Sequence, residues 1–326
     1  MATRADPPTL AVTGASGFVG RHLMLRLELA QRPAIAISRR GAGAGTGTSV
    51  VRHVRMESFD APQAWQAALE GADAVIHLAA RAHQEASGDA DEERLFRKVN
   101  VDGAIKVADA AVAEGVRRFV FVSSIGVNGQ RTSGRPFSDA DAACPTEPYA
   151  ISKWQAEKAL TQRLSGTGTE LVVLRPPLVY GAGCPGNFAR LVRMAARARW
   201  IPLGGIRAPR TFIAIDNLVD ALLVAADHPA AAGGTFVLGD ARDLSVAEVL
   251  TTLAAVFRPG RRVVFDIPPA ALAALAHLVG QAERWEKLAA PLQVDAAGFR
   301  RATGWQAATD PTSALRATAT QWASMF

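Results

Sequence analysis

Cysteine is scarce in this chain: two of its 326 residues, Cys144 and Cys184, each next to a proline. Two distant thiols make neither a disulfide framework nor a zinc-finger spacing, so reduced loop cysteines are expected. Long apolar runs are missing too. Every hydrophobic stretch is broken by Gly, Arg or Asp before the ~20 residues a membrane helix needs, so no membrane insertion is expected. The opening MATRADPPTL holds no apolar core of the kind a secretory signal carries, which points to the cytoplasm. Charged residues are only 20%, against 49% apolar, a balance that excludes a disordered chain. No repeat at solenoid or propeller spacing occurs. The net charge of +6 is scattered, without a basic stripe or interleaved aromatics, so nucleic acid is not an expected partner. Its arginine-rich positive side suits a small phosphate-bearing ligand. No His/Cys/Asp/Glu cluster has metal-ligand spacing. Gly14-Ala15-Ser16-Gly17 is not a nucleophile elbow, which disfavours a serine hydrolase.

What is present is an alternation of short apolar runs and helical patterns. Strands are predicted at Thr9–Thr13, Ala34–Ser38, Ser49–Val54, Ala74–Ala79, Arg118–Val122 and Leu171–Arg175, with a Gly/Thr-rich loop at Gly41–Thr48. Helices are predicted at Phe18–Gln31, Ala61–Leu69, Glu92–Glu114 and Pro148–Leu164. Near-continuous apolar strands separated by helices imply a doubly wound parallel Rossmann sheet covered on both faces. After Tyr180 the loops lengthen. Helices are predicted at Asn187–Arg197, Asp216–Asp227, Val246–Phe257 and Pro268–Leu278. We therefore expect a dinucleotide-binding domain over 1–180 and a smaller C-terminal substrate-binding lobe over 181–326. Segments near 210–240, Arg210–Ile215 and Thr235–Leu238, are expected to return to the main sheet.

Gly14, Gly17 and Gly20 follow the first strand at three-residue spacing and open the first helix. The first permits a tight turn, the second a close approach of backbone to pyrophosphate, the third close helix–sheet packing. A helix N-terminus adds favourable charge for phosphate. The turn residues Gly14, Ser16, Gly17, Phe18, Val19 and Gly20 are thus candidate cofactor contacts. Strand two ends in Ser38-Arg39-Arg40 with no carboxylate to hold a ribose 2′-hydroxyl. Guanidinium there suits a 2′-phosphate, so NADP is favoured slightly over NAD. Glu57 is a further candidate for adenine.

The only tyrosines are Tyr149 and Tyr180. Tyr149 and Lys153 stand at i and i+4, on one face of a helix. The ammonium would lower the phenol from about 10 toward working pH. Ser123-Ser124 ends the fifth strand, and strand carboxyl ends are where such sheets bind ligands. Ser124 could hold a substrate oxygen near Tyr149.

Together these features resemble the extended short-chain dehydrogenase/reductase family, the nucleotide-sugar epimerases and dehydratases, over nearly the whole chain. The resemblance rests on the glycine turn, His77-Leu78-Ala79-Ala80, Asn100-Val101, Ser123-Ser124, Tyr149/Lys153, Leu174 to Gly181, Arg210 to Ile213 with Asp216, and Gly304-Trp305. Within it, the chain is similar to UDP-glucose 4-epimerase-like proteins and UDP-sugar 4-ketoreductases of polysaccharide biosynthesis. Asn128 departs from the tyrosine that many relatives carry. The resemblance implies a catalytic triad of Ser124, Tyr149 and Lys153. It implies that Leu78, Ala79 and Ala80 line the cofactor, that Asn100 supports the Lys153 region, and that Pro176 lies near the nicotinamide carboxamide. Asn187 and Arg210 resemble substrate residues, one contacting UDP from a helix N-terminus, the other its pyrophosphate. An N-cap role for Asn187 and a surface ion pair for Arg210 are the plainer alternatives.

The expected reaction is hydride transfer at C4 of a nucleoside-diphosphate sugar, by a 4-keto-sugar reductase or by a 4-epimerase that keeps its NAD. A reductase of apolar carbonyl compounds is a third reading. It would leave Asn187 and Arg210 without a role. Family habit implies a homodimer.

Overall fold

The computed structural model describes residues 7–39, 50–57, 62–82 and 90–324. Arg40, Ser49, Ala61 and the Gly41–Thr48 loop lie outside them. Seven parallel strands form one sheet in the order β3-β2-β1-β4-β5-β6-β9. These are β1 (Leu10–Thr13), β2 (Ala34–Ser38), β3 (Val51–Arg55), β4 (Ala74–His77), β5 (Arg118–Val122), β6 (Glu170–Arg175) and β9 (Thr235–Val237). The inner strands β1, β2 and β4 are buried at every position, as their unbroken apolar runs require. Edge strand β3, Val-Arg-His-Val-Arg, is largely exposed and polar.

Helices α1 (Phe18–Leu29) and α7 (Ile215–Asp227) cover one face, where Leu23, Leu27, Leu218 and Leu222 meet Val12, Ile76 and Val120. On the other face Trp65, Val107 and Leu160 close over Val75, Phe119 and Phe121, from α2 (Pro62–Leu69), α4 (Gly103–Ala113) and α5 (Pro148–Leu164). The long helix expected from Glu92 forms, but in three parts: α3 (Ala90–Phe96), a π-helical stretch Arg97–Asp102, then α4. π-turns recur at functional sites, and this one carries Asn100.

The strand order reverses between β1 and β4, with β2 and β3 on one side and β5, β6 and β9 on the other. Such a switch point is where an open α/β sheet leaves a crevice. A separate core unites α6 (Gly186–Arg197) and α8 (Val246–Phe257) through Phe188, Val192, Val249 and Leu253. Leu315 of α12 (Pro311–Ala323) joins the same core.

One topological expectation is corrected. Thr235–Val237 does return to the main sheet as β9, against β6. Phe212–Ala214 (β8) does not; it pairs in parallel with Leu178–Tyr180 (β7) in a two-stranded sheet. The cause is a buried polar hub. Tyr180 Oη donates to Asp240 Oδ2 at 2.8 Å, Ala214 N donates to the same carboxylate at 3.1 Å, and Asn217 Nδ2 donates to its Oδ1 at 2.7 Å. Those bonds draw β7, β8 and the start of α7 around Asp240, away from the edge that β9 occupies. Tyr180 is thereby a structural tyrosine, its ionisation pushed far up by burial and by Asp240.

Candidate active site

The glycine turn is built to admit a ligand's phosphates and nothing bulkier of its own. Gly14 has φ +72°, and a Cβ there would lie 2.8 Å from Ala79 N and 3.0 Å from Leu78 C. A Cβ on Gly20 would lie 2.3 Å from Gly14 O. Gly14 therefore lets the turn touch Leu78-Ala79-Ala80 as they leave β4, and Gly20 lets α1 close on the turn. Gly17 is the N-cap of α1, contributes no side-chain cap, and the first turn holds no acid. The amides there remain donors with no competing anion. On these grounds the residues fit a dinucleotide. Ser16 and Gly17 are exposed, Phe18 and Val19 half-buried. Ser38 ends β2 buried, and Arg39 beside it is exposed. Glu57 is paired at 3.0 Å with Arg55.

Two bonds to the backbone fix the expected catalytic side chains Lys153 and Ser124. Lys153 Nζ donates to Val122 O, the last residue of β5, at 2.7 Å. The ammonium also lies 4.5 Å from the Phe121 ring centre. Ser124, two residues on, caps a short turn, its Oγ accepting from Gly126 N at 3.1 Å. A Cβ on Gly126 would touch Ala150 Cβ at 3.2 Å, so this turn packs directly on the first turn of α5, beside Tyr149.

The electrostatics correct one expectation. Tyr149 is half-buried, and its dense surroundings push the phenol up to about 12 rather than down. Burial is the cause, while the Lys153 amino group is held at the Val122 carbonyl. Burial also takes Lys153 itself down to about 7, with Glu157 pulling the other way. Phe96 closes the far side of Tyr149, ring centres 6.2 Å apart.

Asn100, almost wholly buried, ties this helix to the cofactor side. Its Oδ1 accepts from Arg81 N at 2.8 Å, and its Nδ2 donates to Arg81 O at 3.1 Å and to Ser152 Oγ at 2.9 Å. Ser152 Oγ in turn donates to Tyr149 O at 2.7 Å. Beneath Lys153 lies a network that sequence reasoning missed. Glu157 accepts from Ser123 Oγ at 2.5 Å and from Arg175 Nε and Nη2 at 3.0 and 2.5 Å. Arg175 Nη1 donates to Asn128 Oδ1 at 3.1 Å. Asn128 is thus a buried anchor. A glutamate one turn beyond Lys153 on a buried helix face was the available signal. Pro176 is buried, and its carbonyl accepts from Ile125 N at 2.9 Å. His77 is structural. Thr13 Oγ1 accepts from Ala79 N and is hydrogen-bonded to His77 Nδ1 at 3.0 Å. Burial lowers that imidazole to about 3, so it stays neutral.

On the substrate side, Asn187 is exposed in the first turn of α6 and is not its N-cap; that residue is Pro185, without a side-chain cap. Arg210 makes no ion pair among the described residues. Its Nη1 donates to Lys287 O at 2.9 Å and Ala290 O at 2.5 Å, closing the end of α10 (Ala282–Ala289). The helix α10 is also tied to the N-cap of α5, because Lys287 pairs with Glu147 at 2.9 Å.

Comparison with known proteins shows the family. The family model named NAD dependent epimerase/dehydratase family matches residues 10–239, most of the chain. This chain belongs to that family. A relative from Vibrio cholerae named UDP-glucose 4-epimerase is 33% identical to this epimerase/dehydratase-family enzyme, over 93% of this chain and 92% of its own. A GDP-6-deoxy-D-mannose reductase from Pseudomonas aeruginosa is 28% identical, over 79% and 83%. The solved structure of MoeE5 in complex with UDP-glucose and NAD has the same fold, with TM-score 0.77, 22% identity, and coverage of 98% and 99%.

Proposed function

We propose that this family member is a reductase of a 4-keto sugar carried on a nucleoside diphosphate, UDP in the first instance. One observation carries the reading: Lys153 Nζ is bound to the last carbonyl of β5 at 2.7 Å. It docks the Tyr149 face of α5 beside Ser124, at the carboxyl end of β5, the strand next to β4 on one side of the switch point. A reduced nicotinamide, when bound, supplies the hydride. Ser124 Oγ already accepts from a backbone amide, so its own proton is available to the sugar oxygen. Tyr149 Oη, held protonated by burial, is suited to give that oxygen a proton as hydride reaches the carbon. Lys153 keeps at least one further N–H donor for a ribose hydroxyl. The uncapped start of α6 with Asn187, and Arg210 with only one terminal nitrogen engaged by carbonyls, support a diphosphate-bearing substrate.

NADP is favoured because Arg39 is exposed beside the end of β2 and no acid ends that strand. We expect Arg39→Ala to weaken NADPH binding roughly tenfold, about the value of one charge-assisted bond, while sparing NADH. Titration by fluorescence checks this; tighter NADH than NADPH binding by the unaltered protein would reverse the assignment.

A second reading, a 4-epimerase retaining its NAD, is favoured by the Vibrio cholerae relative's name. Mass spectrometry of the purified protein separates the two. The reductase should carry no stoichiometric oxidised nicotinamide and should consume NAD(P)H with a UDP-4-keto sugar. Retained NAD with interconversion of C4 epimers would establish the alternative.

A further inference from the structure

Helix α9 (Pro269–Leu278) reads Pro-Ala-Ala-Leu-Ala-Ala-Leu-Ala-His-Leu, yet none of its residues is buried. A helix apolar all round is ordinarily enclosed by protein or by lipid. Here Leu278 is 83% exposed, with Leu275 at 55% and the following Val279 at 57%. Its neighbour is α10, the helix tied to Arg210 and Glu147.

The chain leading into α9 joins it to a basic end of the lobe. Ile201 N donates to Val263 O, Phe265 N to Ile201 O, and Gly204 N to Phe265 O. A Cβ on Gly205 would lie 3.3 Å from Pro269 Cδ. Arg258 donates to Ala196 O and Arg197 O, bringing the end of α8 against the end of α6. The two stretches that build this end, 186–207 and 254–268, hold eight arginines and a single acid, Asp266. Arg207 and Arg262 share that one carboxylate, at 3.5 and 3.9 Å. Arg199 and Arg261 are exposed. In their midst Trp200 is 54% exposed, its ring 6.1 Å from Phe265. The exposed Leu25 and Leu29 on α1 differ, since Arg26 and Arg32 beside them are each paired to an aspartate.

We propose that α9, Trp200 and this arginine end form a docking surface for an anionic lipid bilayer. The occupant follows from three properties present together. Uncharged leucines enter the acyl boundary, an indole suits the headgroup depth, and excess guanidinium meets lipid phosphate. Ten helical residues span about 15 Å, half the hydrocarbon thickness, so α9 lies along the interface instead of crossing it. This agrees with the finding that no helix among the described residues is long and apolar enough to cross a membrane. Docking would hold α10, with its ties to Arg210 and Glu147, near the lipid surface.

Vesicle flotation tests the proposal. The full-length protein should float with phosphatidylglycerol–phosphatidylethanolamine vesicles, less so as salt rises, and stay behind with phosphatidylcholine alone. Leu275→Asp/Leu278→Asp should lose at least ~10-fold in binding with an unchanged melting midpoint. Arg199→Glu/Arg261→Glu should lose binding without any change to α9. No flotation of the unaltered protein, or equal flotation of the leucine variant, would overturn it. So would a halved mass on size exclusion for the leucine variant without lipid, because α9 would then be covered by a second copy.

Discussion

Tyr149→Phe should lower turnover at least ~100-fold, the usual reach of a positioned acid, and leave nicotinamide binding within a factor of two or so of the original. The change removes only the phenolic oxygen. The ring contact with Phe96 remains, and so does the bond from Ser152 to the Tyr149 carbonyl. Lys153 stays bonded to Val122, so the helix has no reason to move. Stopped-flow transfer with a 4-keto nucleotide sugar measures the first quantity, and cofactor titration the second. A variant with unimpaired turnover would remove Tyr149 from the chemistry. Loss of cofactor binding in the same proportion would mean that the hydroxyl serves to bind, not to move a proton.

Glu157→Ala should be the most destabilising of the simple substitutions near the site, by about 3–5 kcal/mol. That is a large share of a typical stability of about 5–15 kcal/mol. The Glu157–Arg175 pair has side chains only 4% and 5% exposed. Removing the carboxylate leaves a buried guanidinium with only Asn128 and the face of Trp154 beside it, and frees the Ser123 hydroxyl. Replacing both members, as in Glu157→Leu with Arg175→Met, should recover much of the loss, since two apolar groups leave no uncompensated charge. Denaturant midpoints at constant slope decide the matter. A single variant as stable as the original would show that the pair is matched by its own desolvation cost.

Which features were legible follows from how far apart their causes lie in the chain. The sheet was readable because each inner strand is buried along its length and so spells an unbroken apolar word. The glycine turn and the Tyr149/Lys153 pair were readable because each is complete within about one helical turn. The β7–β8 sheet was not, because three-residue strands carry no periodicity and their placement depends on Asp240, far along the chain. The partnership of Glu157 with Arg175 joins a helix to a strand. Arg210 was expected to face an anion, and it also answers two carbonyls whose position only the folded lobe supplies. For α9 the period predicted a helix correctly, but apolar composition alone would have placed it inside.

The π-helical stretch Arg97–Asp102 has a consequence for how this enzyme can vary in length. A π-turn amounts to one residue more than the same helix would need in α form. Deleting a single residue there would let the helix continue in ordinary winding, at little expense to its own hydrogen bonds. The two flanks would keep nearly their present phase, since the π-turn already absorbs the extra residue, but the residues within the stretch would shift and Asn100 would no longer meet both Arg81 and Ser152. Circular dichroism would register almost nothing. The damage would appear only where Asn100 supports Ser152 and, through it, the Tyr149 carbonyl, with the scaffold left intact.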